Sequence, residues 1–177
     1  KKFQREGART LVLTYNHALA ADIRRLIALL QIPSNPYEGG IKVDTVMSFM
    51  YSWFSKLQLL EGEEDETFED YEANCQAVSD LIKRNEITTR DIQKTKDDHP
   101  DKFDFDFVFV DEAQDWPEQE STLLKCLYSA SKICLADGIS QLIRSGKPTW
   151  ESRHEPATTI SLKRCLRMKR NLADFAN

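Results

Sequence analysis

The stretch Phe103–Pro117, FDFDFVFVDEAQDWP, decides how the rest of the chain is read. Phe103, Phe105 and Phe107 alternate with Asp104 and Asp106, and the run then turns continuously apolar through Val110. A strand does this when it passes from the rim of a sheet to a centre covered on both faces. The apolar run stops at Asp111-Glu112. At the carboxyl end of a buried parallel strand, such a pair points into the crevice where open α/β sheets bind ligands. Asp115 and Glu118 have an ordinary explanation, because their spacing fits a capping box and Pro117 suits a first helical turn. That explanation leaves out Asp111 and Glu112. Two acids directly after four apolar residues cost desolvation unless a cation or a partner compensates. A magnesium-bearing nucleotide is the ligand expected there.

With 177 residues, 41% of them hydrophobic, the chain can bury one sizeable core, and a single domain is expected. A formal net charge of -5 argues against a broad basic nucleic-acid surface and leaves room for a local contact. The four cysteines, Cys75, Cys126, Cys134 and Cys165, show no Cys-x-x-Cys spacing. This argues against a zinc site and fits reduced thiols in an intracellular, cytoplasmic setting. No apolar run is long enough for a membrane span, and Lys1–Arg5 opens no signal-peptide core, so no membrane partner is expected. Because residue 1 is Lys, the chain is expected to be a piece of a longer protein.

Taken in order, Thr10–Thr14 reads as a short buried strand and Tyr15-Asn16-His17 as the turn after it. Leu19, Ile23, Leu26, Ile27 and Leu30 then recur at helical spacing, with Asp22, Arg24 and Arg25 on the outer face, until Pro33–Pro36 ends the helix. Ile41–Asp44 is a second strand, and Thr45 opens a helix carrying Val46, Phe49, Met50, Trp53, Phe54 and Leu57 toward a core. Glu61–Asp70 holds seven acids in ten residues and reads as a solvated insertion. A helix is expected from about Tyr71 to Lys83, then a polar connection through Ile92 to Pro100, the central strand, and a helix over Glu118–Tyr128. Ile133–Ala136 is a further strand that ends, like the central one, on an acid, Asp137. Thr158–Leu162 reads as the last strand and Asn171–Asn177 as the start of a helix. Strands alternating with helices imply a parallel sheet with helices on its faces.

The order of these segments resembles one family, the UvrD/Rep-like superfamily 1 DNA helicases. Thr14-Tyr-Asn-His-Ala-Leu-Ala-Ala-Asp-Ile-Arg24 is similar to its first single-strand-binding motif, and Thr45-Val-Met-Ser-Phe49 to its Thr-Phe-His-Ser-Phe motif. Asp111-Glu-Ala-Gln-Asp115 matches its Walker B box. Leu135–Ile143 is similar to its Gly-Asp-x-x-Gln-x-Ile motif, and Leu162–Arg167 with Phe175–Asn177 to its Leu-x-x-Asn-Tyr-Arg motif and following helix. The resemblance implies an α/β, RecA-like parallel sheet with helices on both faces, of the P-loop NTPase type. Residues 1–177 would be part of an N-terminal motor domain, 58–102 an acidic, largely helical insertion within it, and 171–177 the start of the connection to a second motor domain. The implied activity is ATP hydrolysis coupled to movement on single-stranded DNA.

The resemblance also implies roles. Phosphoryl transfer to water needs a metal on the phosphates, a positioned base, and donors on the departing charge. Asp111 would hold Mg2+ and Glu112 would act on the water. Gln141 would hydrogen-bond the water or the terminal phosphate of ATP, and Arg167 would neutralise transition-state charge as a bidentate finger. Apart from the motifs, Gln141 reads as a loop amide and Arg167 as one surface arginine among Lys163, Arg164, Lys169 and Arg170. On the nucleic-acid side the implied partner is single-stranded DNA or a single-strand/duplex junction. Tyr15 would stack on a base, and Thr14, Asn16, Thr45 and Ser48 would meet phosphates. Turn and cap chemistry is the competing reading of Thr45 and Asn16, and a core ring that of Tyr15.

Several departures qualify the resemblance. No glycine heads a Gly-x-x-x-x-Gly-Lys-Ser/Thr loop, which in the family lies one helix before the Thr14 strand and so is expected upstream of Lys1, with Lys1–Gly7 as the tail of its helix. These residues alone are therefore expected to bind ATP weakly and to be inactive. Asp137 and Gln141 stand one residue further apart than in the family motif, with Ala136 in place of its Gly. Gly146 stands five residues after Gln141, where a base-stacking Trp is common, and the spacing does not support Trp150 as its substitute. Cys165-Leu166 replaces Asn-Tyr. Two other readings stay open: a nucleotide-dependent regulatory or defence-associated ATPase module without processive unwinding, slightly favoured by Gly146, and an interaction domain without nucleotide chemistry.

Overall fold

The computed structural model describes residues 7–34, 40–59, 68–136 and 150. Its strands are β1 (Thr10–Thr14), β2 (Ile41–Thr45), β3 (Phe107–Val110) and β4 (Ile133–Leu135). Its α-helices are α1 (His17–Leu29), α2 (Val46–Lys56), α3 (Phe68–Lys83), α4 (Thr89–Asp98), α5 (Pro100–Phe103) and α6 (Glu118–Leu127). The strands form one sheet in the order β2-β1-β3-β4, and every pairing is parallel. The sequence pattern therefore leads to the observed class, an α/β domain built on a parallel sheet, with β1 and β3 as its inner strands.

Alternate residues of a strand face opposite sides of a sheet, and the two sides here carry separate cores. Leu11, Leu13, Val108 and Val110 are fully buried against α2, α3 and α6 through Phe49, Trp53, Tyr71, Val78, Leu123 and Leu124. On the opposite face Val12, Ile41 and Val43 pack under Ala20, Ile23 and Ile27 of α1. The 58–102 segment is continuous with the larger core, to which α3 contributes Tyr71, Cys75 and Val78, α4 Ile92, and the connection between them Ile87. Among the described residues no helix is long and apolar enough to cross a membrane.

Four expectations are corrected. The alternating Phe103–Asp106 is not strand: Phe103 closes α5, and β3 begins only at Phe107. Pro100 starts a helical turn that its fixed φ favours, and the two aspartates are taken by Arg9. Asp104 pairs with the Arg9 guanidinium, and the Asp106 carboxylate accepts from the Arg9 amide at 2.8 Å. The polar connection expected after Lys83, through Ile92 to Pro100, is largely helix α4, whose capping box is complete. Asp91 N donates to Thr88 Oγ1 at 3.3 Å, and Thr88 N donates to Asp91 Oδ2 at 2.9 Å. Asp115 and Glu118 form no capping box, because Pro117 is the N-cap of α6 and Asp115 is buried in a 3-10 turn, Ala113–Asp115. Leu26 and Leu30, placed inside by periodicity, are 58% and 70% exposed. Ile27 in the same last turn is buried against Val43, so only one edge of the apolar stripe faces the sheet. Arg24 is exposed as expected, and its guanidinium donates to the Val43 carbonyl with Nη2 at 2.7 Å and Nε at 3.1 Å. The expected strand Thr158–Leu162 and helix Asn171–Asn177 lie outside the described residues.

Candidate functional site

Parallel pairing brings all four strand ends to one edge. β1 ends at Thr14 beside Thr45 of β2, and Leu13 pairs with Val110, which pairs in turn with Leu135. Asp111 therefore leaves the sheet next to Thr14. The Thr14 hydroxyl donates to Asp111 Oδ2 at 3.3 Å, and the Asp111 amide donates to the Leu13 carbonyl at 3.0 Å. Trp116 Nε1 donates to the Asp111 carbonyl at 3.1 Å, so the half-buried Asp111 is fixed through its backbone and side chain together.

Glu112 follows in the left-handed region, with φ 48° and ψ 49°. For a residue with a Cβ this conformation costs on the order of 1–3 kcal/mol and persists only where its surroundings over-determine it. They do so here. The Ala113 amide donates to the Ala136 carbonyl beyond β4 at 2.8 Å, and the Asp115 amide donates to the Glu112 carbonyl at 2.9 Å. Gln114 Nε2 donates to Glu112 Oε2 at 2.6 Å. The outcome is an exposed carboxylate at the apex of a tightly held turn, beside a half-buried carboxylate at its base.

The turn rests on aromatic rings. Trp116, 1% exposed, meets Tyr15 edge-on at 5.6 Å between centroids and Trp150 edge-on at 5.5 Å. Trp150 Nε1 also donates to the Ala113 carbonyl at 2.8 Å. The half-buried Tyr15 sends its hydroxyl to Glu120, a carboxylate of α6 that is only 3% exposed. Close by on α3, burial raises the Tyr71 phenol well above its usual value, with the Glu120 charge adding to the effect. Burial likewise pushes the Cys75 thiol up to about 12, against a hydrogen bond with Tyr71 that pulls it down.

Thr14, Tyr15, Asn16, Thr45 and Ser48 all fall at this edge or in the first helical turn beyond it. Asn16 Oδ1 caps α1, accepting from the Ala18 amide at 2.8 Å and the Leu19 amide at 3.3 Å. Thr45 Oγ1 caps α2 by accepting from the Ser48 amide at 3.4 Å, and Ser48 itself is exposed. The cap chemistry weighed for Asn16 and Thr45 is thus present, and Tyr15 carries the packing of a partly buried ring. Asp137, Gln141 and Arg167 lie outside the described residues. Sequence reasoning missed Glu120 and the contacts of Trp150. Glu118-Gln119-Glu120 looks like a solvated first turn, and only the seating of α6 against α3 and Tyr15 turns its third residue inward.

A magnesium ion bound with a nucleotide usually keeps several waters and takes one or two carboxylates from the protein. Asp111, single, half-buried and oriented by a hydroxyl, suits that requirement. Among the described residues no group of three or more His, Cys, Asp or Glu gathers as an all-protein metal cage. The triphosphate cradle is another matter, because the 177 residues contain no Gly-x-x-x-x-Gly-Lys-Ser/Thr run.

Fold and edge together define an α/β domain with two acidic residues at the carboxyl end of an inner parallel strand. The chain matches no protein-family model, no curated protein and no solved structure.

Proposed function

We propose that this chain belongs to the RecA-like motor core of a UvrD/Rep-like DNA helicase or translocase, which couples ATP hydrolysis to movement on single-stranded DNA. The observation that carries the reading is the Asp111-Glu112 pair at the carboxyl edge, with the Thr14 hydroxyl on Asp111 and Glu112 held in a left-handed turn. Strain of this kind concentrates where a side chain must be aimed.

Magnesium-bound ATP, when present, supplies the phosphoryl group that water attacks. In this reading Asp111 holds the ion, while Thr14 keeps its carboxylate oriented. Glu112, exposed at the apex, positions the water and accepts its proton, and Gln114 fixes the Glu112 rotamer through the 2.6 Å bond. Gln141 and Arg167 keep the roles their motifs imply, at the water or terminal phosphate and on the departing charge. The reading also requires a phosphate cradle, which these 177 residues do not contain. Tyr15, Asn16 and the exposed Ser48 line the path of the strand, and single-stranded DNA or a single-strand/duplex junction is the partner; Thr14 and Thr45, expected to meet phosphates, are 2% and 3% exposed and act beneath that path, on Asp111 and as the cap of α2.

One observation favours the alternative, a regulatory or defence-associated ATPase without processive unwinding. Gly146 leaves the base-stacking position without a ring, and the nearby Trp150 is engaged with Ala113 and Trp116.

The test is Glu112→Gln in the full-length protein, assayed for magnesium-dependent ATP hydrolysis and for nucleotide binding. Binding is expected to persist while turnover falls about 100-fold or more, as for loss of a general base. Unchanged turnover removes Glu112 from the mechanism, and absence of hydrolysis in the parent protein overturns the reading. A strand-displacement assay on the same protein separates the helicase from the alternative.

A further inference from the structure

The geometry points to Trp150 as a positioning residue that holds the Asp111–Trp116 turn, and with it Glu112, in the left-handed form. The Ala113 peptide groups are anchored at both ends: its amide on the Ala136 carbonyl at 2.8 Å, and its carbonyl on Trp150 Nε1 at 2.8 Å. The same carbonyl also receives the Trp116 amide at a longer 3.5 Å. Without Trp150 the carbonyl keeps, among the described residues, that weaker donor alone, and the peptide plane after Ala113 is freer to rotate. Rotation there acts on Glu112, whose carbonyl is the acceptor for the Asp115 amide at 2.9 Å. The Trp150 ring also braces Trp116 at 5.5 Å, and Trp116 Nε1 holds the Asp111 carbonyl at 3.1 Å. One indole thus acts on both carboxylates through their backbone.

Trp150 lies 37 residues from Ala113 in sequence, past β4. The clamp stands on geometry alone. Its consequence for hydrolysis rests on the function proposed above.

The experiment uses the full-length protein and two variants, Trp150→Phe, which keeps an aromatic ring and loses the N–H, and Trp150→Ala, which loses both. Backbone amide exchange is followed at Ala113 and Asp115, with helix α3 as the internal reference, beside steady-state ATP hydrolysis. In Trp150→Phe, exchange at Asp115 should speed up about tenfold while α3 is unaltered. The kcat should fall about tenfold or more, the scale of a displaced catalytic group, with the KM for ATP held within about twofold. Asp115 exchange equal to wild type in Trp150→Phe overturns the clamp. A fall in kcat and protection across the whole domain together also overturns it, since that marks a packing role. If the wild type hydrolyses no ATP, the proposed function falls and the Asp115 exchange alone decides the clamp. Should either variant fail to fold, the indole N–H of wild-type Trp150 gives the answer: slow exchange supports the bond to Ala113, and exchange at the rate of a free indole excludes it.

Discussion

Replacing Tyr15 separates its two readings, and the structure sets the size of each. Its ring is half-buried, braced edge-on by Trp116 at 5.6 Å, with its hydroxyl on the buried Glu120. Truncating a fully buried aromatic to Ala costs about 3–5 kcal/mol, so a ring half out of water forfeits roughly 2 kcal/mol. Taking one donor from the buried Glu120 carboxylate adds about 1–3 kcal/mol. Tyr15→Ala should therefore destabilise by about 4 kcal/mol, which lowers the Tm by about 8–16 °C for a domain of this size. Tyr15→Phe should forfeit only the hydroxyl part, about 1–3 kcal/mol. The motor reading adds a separate effect, about 1–3 kcal/mol of lost base stacking in single-strand-stimulated ATPase activity, with a shallow dependence of binding on salt. Thermal melting and stimulated hydrolysis, measured on one preparation of the full-length variant, read both. A large Tm loss with stimulation intact per folded molecule refutes the nucleic-acid role of Tyr15. A Tm within about 2 °C of wild type refutes the packing argument made here.

Glu112→Gly should stabilise the fold by about 0.5–1 kcal/mol, because glycine adopts the left-handed φ without a Cβ penalty, while abolishing any turnover that needs the carboxylate; chemical denaturation beside an ATPase assay checks both halves. Thr88→Ala removes the α4 capping box and should cost about 1 kcal/mol, or roughly 2–4 °C in Tm, with no change in the sheet. Cys75 has a folded value raised to about 12, so the stability it contributes is fully present below the ordinary thiol value and is lost as pH rises toward 12. Cys75→Ala should make alkaline unfolding less steep over that window in a pH series of denaturation curves, and an unchanged slope would show that Cys75 is not coupled to folding.

The short apolar strand Thr10–Thr14, the apolar run ending at Val110 and the helical spacing of Val46, Phe49, Met50, Trp53 and Phe54 were legible because burial against water selects residue type locally. These segments lie where the pattern puts them, and alternation of strands with helices leads to parallel pairing with Thr14 and Asp111 at one edge. Cap chemistry was legible at Asn16 and Thr45 as well, being a contact within three residues. The Thr88-x-x-Asp91 box carried the same signal for α4, but Asp in place of Glu or Gln at its third position made it easy to pass over.

What only the tertiary structure decided are contacts between residues far apart in the chain. Phe103 and Phe105 are as apolar as the strand they precede, yet Arg9 claims the aspartates between and beside them, and β3 starts two residues after Phe105. Leu26 and Leu30 obey helical periodicity, yet nothing local says that only one edge of the α1 stripe faces the sheet. Glu120 turns inward only because Tyr15 and Tyr71 arrive from other elements, and the left-handed φ of Glu112 depends on a carbonyl beyond β4 and an indole at position 150. Hydrophobic burial is a property of each residue type and leaves its periodicity in the sequence. A hydrogen bond between distant groups depends on where two elements are placed, and no periodicity records that.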